Sequence, residues 1–279
     1  VASTGKLAMT SSSSPGIALK CEGISYLAGA DLPALIVNVQ RGGPGLGGIQ
    51  PSQSDYFLAT RGPGHGDFHV LVLAPASVQE MADLTQKAFR LAFEYRMPAM
   101  LLADGTMGQM MEPVVLPEET VLEKSAPDWA VTGTECKRPH NIINSLYLTP
   151  NALEDLVRAR YERYKIVEEK EQRAEEYRTE DADVIVVAYG ASSRVARSAV
   201  NKAREAGKKV GLIRPITLWP FPKDAIKRAA DHAKELLVVE MSMGQMVDDV
   251  RLAAECRVPV HFYGRTGGVI PTPKEILGE

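Results

Sequence analysis

Cysteine is scarce in this chain of 279 residues. Cys21, Cys136 and Cys256 stand far apart and form no CxxC pair. That spacing excludes a disulfide scaffold, a zinc knuckle and an iron–sulfur site built on this chain alone. Long apolar runs are also missing, so no transmembrane helix is expected, and no secretory signal opens the sequence. Charge imbalance is small: 32 Lys+Arg against 35 Asp+Glu give a net charge of −3. A nucleic-acid partner and an anionic membrane surface are therefore not expected. What is present is ordinary for a globular protein, with 45% apolar and 24% charged residues. The length fits about two domains, and the unpaired cysteines suit a reducing cytoplasm.

The last hundred residues alternate between apolar runs and amphipathic segments. VIVVAYG, KVGLIR, LLVVEM and VPVHFYG read as buried strands. Helices between them follow, the first capped by Ser192 or Ser193 and stopped at Gly207. Short strand–helix alternation predicts a parallel sheet covered on both faces. The first part has the same grammar: a helix opened by Ser14-Pro15-Gly16, then ALIVNVQ, VLVLA and AMLLAD as strands, with the helix VQEMADLTQKAFRLAFEY before the last of them. Between the halves lies a glycine-free, charge-rich block in which Leu153, Leu156, Val157, Tyr161 and Tyr164 recur at helical spacing. The reading is an α/β protein of two parallel-sheet domains, residues 1–150 and 182–279, joined by a long helix over 151–181. Val1 opens a fragment that resembles the end of an element, so the first domain is expected to be N-terminally incomplete.

Ligands of open parallel sheets bind beyond the carboxyl ends of the strands. Four loops fall there. In TSSSSPG, the hydroxyls of Thr10, Ser11, Ser12, Ser13 and Ser14 and the following helix N-terminus can hold an anion or a polar ring; a serine-rich cap is the plainer alternative. In QRGGPGLGGIQPSQSDYF, glycines allow close backbone approach, and Arg41 can grip a carboxylate through its planar fork or simply be solvated. No GK[ST] follows, so this is not a Walker A loop. In RGPGHGDFH, His65 is either a proton carrier or a turn residue. In ADGTMGQMMEP, Asp104 is weak evidence for a metal. The methionines of Gly108–Pro113 and of Met241–Met246 fill a core or an interface.

Together these loops resemble one family, the thiamine-diphosphate 2-oxoacid:ferredoxin oxidoreductases, of the 2-oxoisovalerate or 2-oxoglutarate type. The matching subunit carries the pyrimidine-binding domain and the transketolase C-terminal-like domain. IRPITLWPFP, VVEMSMGQMVDDVR and GRTGGVIPTPKEIL continue the likeness to the end of the chain. The resemblance implies oxidative decarboxylation of a 2-oxoacid to acyl-CoA, with coenzyme A as co-substrate and electrons passed to ferredoxin. It implies Arg41 on the substrate carboxylate, Thr10 to Ser14 on thiamine diphosphate, and His65 as a proton carrier. Asp104-Gly105 follows an alanine, and Asn141 and Asn144 come too late for the family's metal–diphosphate motif. Mg²⁺ and the iron–sulfur cluster are thus expected on partner chains: a diphosphate-binding subunit, an iron–sulfur ferredoxin-like subunit and a gamma-type subunit. The family's threonine loop and its ylid-forming glutamate lie upstream of TSSSSPG, and Glu22 does not replace that glutamate. Two alternatives stay open: a non-catalytic scaffold of the same fold, and the pyrimidine-domain subunit of a lipoamide-linked dehydrogenase.

Overall fold

The computed structural model describes residues 1–116 and 126–279. Its first sheet holds β1 (Met9–Ser12), β2 (Leu35–Gln40), β3 (Leu71–Leu73) and β4 (Ala99–Asp104). Their spatial order is β1-β2-β4-β3, all parallel. Every residue of β4 is buried, as expected for a central strand whose apolar run is covered on both faces. α1 (Ser14–Gly29) follows β1 and buries Ile17, Ile24 and Ala28. α3 (Val78–Tyr95) buries Leu84, Ala88, Leu91 and Ala92. It starts at Ser77, whose hydroxyl accepts from the amide of Glu80. The short helices α2 (Tyr56–Thr60) and α4 (Gly105–Gln109) follow β2 and β4.

The second sheet has the order β10-β9-β6-β7-β5, with β5 (Ala174–Tyr177) at one edge. Its parallel strands are β6 (Val184–Val187), β7 (Val210–Pro215), β9 (Glu235–Glu240) and β10 (Val260–Gly264). α6 (Gly190–Glu205), α7 (Lys223–Ala230), α8 (Met246–Ala254) and α9 (Pro273–Gly278) alternate with them. An α/β chain with two mostly parallel sheets is thus what the sequence predicts. One strand crosses over: β8 (Thr217–Trp219), within IRPITLWPFP, pairs antiparallel with β3 and extends the first sheet. A single apolar cluster consequently runs through both halves.

Two expectations need correction. The long helix over 151–181 is shorter: α5 spans Pro150–Lys170, and Ala174–Tyr177 is a strand, β5, antiparallel to β7. Long-range ion pairs favour the strand: Glu175 is gripped by Arg214 (2.8 Å) and by Arg197. The face of α5 also differs, because Leu153 is exposed while Arg160, Tyr164 and Val167 are buried. Arg160 is satisfied there by Asp31 (3.1 Å) and the carbonyl of Gly29 (3.2 Å), so burying its charge is tolerated. In the second correction, α6 begins at Gly190, so Ser192 and Ser193 lie inside its first turn rather than at its cap.

Candidate functional site

The carboxyl ends of β1, β2 and β4 meet at one edge of the first sheet. Ser12 pairs in register with Asn38, and Gln40 with Asp104. This places the serine loop and the glycine loop side by side, and Arg41 joins them. Its backbone amide donates to Ser14 Oγ (3.0 Å), and its Nε donates to Ser13 Oγ (3.2 Å). Its Nη1 donates to the carbonyls of Leu46 (2.8 Å) and Gly48 (2.9 Å). Half of the guanidinium therefore shapes the loop that curls over it, while Nη2 has no partner among the described residues. Gly47 makes that curl possible, with φ +56° and an absent Cβ that would lie 1.8 Å from the Gly42 carbonyl oxygen. From the second half, Gly268 packs directly on Gln50.

The serines are not used as a cap. Ser13 occupies the cap position of α1, yet its side chain turns to Arg41 rather than to the helix amides. Thr10 Oγ1 accepts from Lys20 Nζ (2.7 Å). The hydroxyls of Ser11 and Ser12 have no hydrogen-bonding partner among the described residues. Ser12 folds over the first helical turn, where a Cβ on Gly16 would lie 2.0 Å from its Oγ. The result is an open, hydroxyl-bearing wall beside a cation.

His65 is not brought to this wall. It is exposed between Gly64 and Gly66, and Gly64 packs against Cys21 and Ser25 of α1. At about 1.5 Å per residue, that stretch lies two to three helical turns beyond Ser14. Glu22 is exposed on the same helix and accepts from the Tyr26 hydroxyl (3.3 Å). The half-buried histidine is His69, stacked on Trp219 with ring centres 4.5 Å apart. Burial lowers its pKa, which suits a neutral aromatic packing role.

Asp104 is buried and serves two helices. Its Oδ1 accepts from the amides of Thr106 and Met107, and its Oδ2 from that of Ala191 (3.4 Å) at the start of α6. Burial raises its pKa, and those amides offset the rise only in part. No group of three metal-ligating side chains exists among the described residues, so Asp104 is a structural cap here.

A second set of polar residues joins the halves beneath the loop. Gln53 is fully buried. Its Nε2 donates to the Tyr189 carbonyl (2.8 Å), and its Oε1 accepts from Ser192 Oγ (2.7 Å) and the Met241 amide (3.0 Å). Gln245 accepts from the Phe57 amide and donates to the Ser54 carbonyl. The Tyr56 hydroxyl donates to Asp249 (2.6 Å). Glu240, at the end of β9, accepts from the amides opening α8 and from Ser242. Burial raises its pKa against those bonds. Of the methionines, Met107, Met241 and Met246 are core residues, whereas Met111 and Met243 are exposed. Residue-type spacing did not announce this clasp; the available signal was a glutamate closing an apolar strand and a QSDYF run too polar for a free glycine loop.

Two cavities lie away from the wall. One, of about 370 Å³, is lined by Val184, Val210, Leu237 and Ile276 under α9. The other, of about 420 Å³, is lined by Arg194, Arg197, Arg214, Glu80 and Glu175. Its arginines are already paired with Glu80, Glu112 and Glu175, so it is a self-neutralised ion-pair network. The serine wall, by contrast, is open on one side.

The two-sheet α/β chain thus carries a hydroxyl loop and an arginine together at its strand ends, and comparison with known proteins supplies its class. Residues 1–185 match the family described as pyruvate flavodoxin/ferredoxin oxidoreductase, thiamine diphosphate-binding, and residues 182–276 match pyruvate:ferredoxin oxidoreductase core domain II. The chain belongs to this family of 2-oxoacid:ferredoxin oxidoreductase subunits. It is 50% identical over 276 residues to the ketoisovalerate oxidoreductase subunit VorB of Methanothermobacter thermautotrophicus, covering 99% of this chain and 78% of the relative. It is 36% identical to the 2-oxoglutarate synthase subunit KorA of the same organism, covering 98% and 80%. The solved 2-oxoglutarate:ferredoxin oxidoreductase of Magnetococcus marinus, with 2-oxoglutarate, coenzyme A and succinyl-CoA bound, superposes with a TM-score of 0.82 at 26% identity. This chain spans 99% of its own length there and about half, 53%, of that chain. These relatives support the ferredoxin-linked class rather than the scaffold or lipoamide-linked alternatives.

Proposed function

We propose that this chain supplies one wall of a shared thiamine-diphosphate site and the arginine that orients a 2-oxoacid within it. The observation that carries the reading is the joining of the serine loop to the substrate side by Arg41, through Ser13 and Ser14. The residues fit the cofactor in part. Ser11 and Ser12 offer hydroxyls without a partner among the described residues to a polar ring, but those residues hold no group of three side chains of the kind a metal–diphosphate group needs. The metal, the diphosphate and the iron–sulfur cluster therefore belong to partners: a diphosphate-binding subunit, an iron–sulfur ferredoxin-like subunit and a gamma-type subunit. When bound, thiamine diphosphate supplies the nucleophilic carbon and the carbanion stabilisation that decarboxylation requires.

The chain's own residues act by position. Arg41 keeps its Nη2 edge for the substrate carboxylate while Nε and Nη1 hold its plane fixed against Ser13 and the glycine loop. A fixed fork orients the carboxylate, and the contact weakens once CO₂ departs, so its contribution is binding and alignment. His65 stands apart from this wall, and the proton-carrier role proposed for it requires the loop or a partner to carry it there. Coenzyme A and ferredoxin act as co-substrate and electron acceptor of the assembled complex. Three free cysteines suit a reducing, cytoplasmic setting, and no helix among the described residues is long and apolar enough to cross a membrane.

The test is reconstitution. The chain, joined to its partner subunits, should reduce viologen only when a 2-oxoacid, coenzyme A and thiamine diphosphate are all present. Ser12→Val should weaken thiamine diphosphate binding to the complex. A Ser12→Val complex with unchanged cofactor affinity would contradict the wall.

A further inference from the structure

The glycine loop over Arg41 is held from two sides. Among the described residues, the hydrogen bonds of residues 42–50 run only inside the loop or to Arg41. The Gly42 amide donates to the Gln50 carbonyl (2.9 Å), and the Gly48 amide donates to the Gly42 carbonyl (2.9 Å). Arg41 also forms an antiparallel bridge with Pro51, the residue after Gln50. These bonds fix the shape of the loop and tie Gln50 to the backbone on both sides of the guanidinium's root. The contact from outside comes from the second half. There the chain leaving β10 turns at Gly267 and Gly268, with φ +68° and +95°, and the Val269 amide donates to the Thr266 carbonyl (3.3 Å). Positive φ at both central positions of a turn favours a glycine pair. The space around the two glycines differs, however. A Cβ on Gly267 would meet nothing within 4 Å, whereas one on Gly268 would lie 2.2 Å from Gln50 Cβ and 2.9 Å from its Cγ. The turn has its own anchors: the Arg265 amide donates to the Glu240 carbonyl (3.1 Å), and the Arg265 side chain pairs with Glu275 in α9.

We propose that Gly268 is a positioning residue for the 2-oxoacid: its bare backbone lets Gln50 seat against the second half, and Gln50 passes that position through Gly42 and Pro51 to Arg41. This rests on the Arg41 reading above. A methyl group at Gly268 would have to push Gln50 away by about 1 Å to restore an ordinary carbon–carbon separation of about 3.5 Å. A misplacement of about 1 Å at a group that aligns substrate can cost on the order of a hundredfold. The second half thereby sets where the guanidinium stands, although it contributes no side chain to the serine wall.

The experiment uses the reconstituted complex and whichever of 3-methyl-2-oxobutanoate, pyruvate and 2-oxoglutarate the unmodified complex oxidises fastest. Gly268→Ala should raise KM for that 2-oxoacid at least about tenfold and leave kcat and the KM for coenzyme A within about threefold. Gly267→Ala carries the same backbone strain without the collision, and its KM should stay within about threefold of the parent. Rescue separates positioning from packing. Adding Gln50→Gly to Gly268→Ala removes the carbon that is struck, and should bring KM back to within about threefold; adding Gln50→Ala, which keeps that carbon, should not. An equal rise of KM in Gly267→Ala would assign the effect to strain and overturn the proposal. So would a fall in kcat at unaltered KM, a failure of Gln50→Gly to rescue, or loss of subunit assembly by Gly268→Ala in light scattering. If Arg41→Ala leaves KM unaltered, the wider reading fails; if Arg41→Ala raises KM and Gly268→Ala does not, this inference alone fails.

Discussion

Gln53 is the residue through which the two halves are held most directly, and replacing it by leucine isolates that contribution. The side chain is fully buried and satisfies three groups. Two of them have other recourse. The Tyr189 carbonyl also accepts from the Ser193 amide (3.3 Å), and the Ser192 hydroxyl can rotate to a carbonyl of its own helix. The Met241 amide has no other acceptor among the described residues, so leucine strands it without water. A buried unsatisfied donor costs about 1–3 kcal/mol, and the lost bonds to Tyr189 and Ser192 add about 0.5–1 kcal/mol each. Gln53→Leu should therefore lower stability by about 2–5 kcal/mol, read as a shift of the urea midpoint at unchanged slope. Gln50→Leu, three residues earlier and exposed, should shift it by less than about 0.5 kcal/mol. Equal effects of the two substitutions would refute the clasp.

Other outcomes follow from the same structure. Arg214 is 7% exposed and holds both Glu80 and Glu175, so Arg214→Met should cost about 2–4 kcal/mol by leaving two carboxylates facing an apolar group. Burial acts to raise the pKa of Glu175, but the bonds from Arg197 and Arg214 outweigh it and hold the pKa below the ordinary range. That stabilisation is present above the unfolded value of about 4.3 and is lost as pH falls through the lower folded value. Urea midpoints between pH 7 and pH 3 should thus show a shallower acid loss in Arg214→Met than in the parent. At the glycine loop, Gly47→Ala should cut turnover of the reconstituted complex by about tenfold or more, because its Cβ would collide with Gly42. Gly45→Ala, also at positive φ but facing open space, should cost only about 1–2 kcal/mol of local strain and leave most of the turnover intact.

The strands were legible because buried parallel strands are written as continuous apolar runs, and AMLLAD and VIVVAYG have no other good home. The meeting of the serine loop with Arg41 was legible for a related reason: both follow parallel strands, whose carboxyl ends gather at one edge of a sheet. β5 was not, since AEEY has neither alternation nor β-branched residues and becomes a strand only through arginines more than twenty residues away. β8 is three residues long, and its partner β3 is remote in sequence. The polar clasp escaped for the same reason, because Gln53 finds its partners 136 to 188 residues away. Local pattern carries no information at that range. His65 was singled out for its residue type, and its type says nothing about which end of α1 its loop lies against.

Substrate kinetics of the Arg41→Ala complex, measured together with its thiamine diphosphate affinity, test most directly whether this chain orients the 2-oxoacid. Loss of a charge-assisted contact of about 2–4 kcal/mol predicts a fall in kcat/KM for the 2-oxoacid of about 30- to 700-fold. Most of that fall should sit in KM, Arg41→Lys should recover only part of it, and cofactor affinity should stay within about threefold of the parent. An Arg41→Ala complex that oxidises its 2-oxoacid with unaltered KM and kcat would contradict the account.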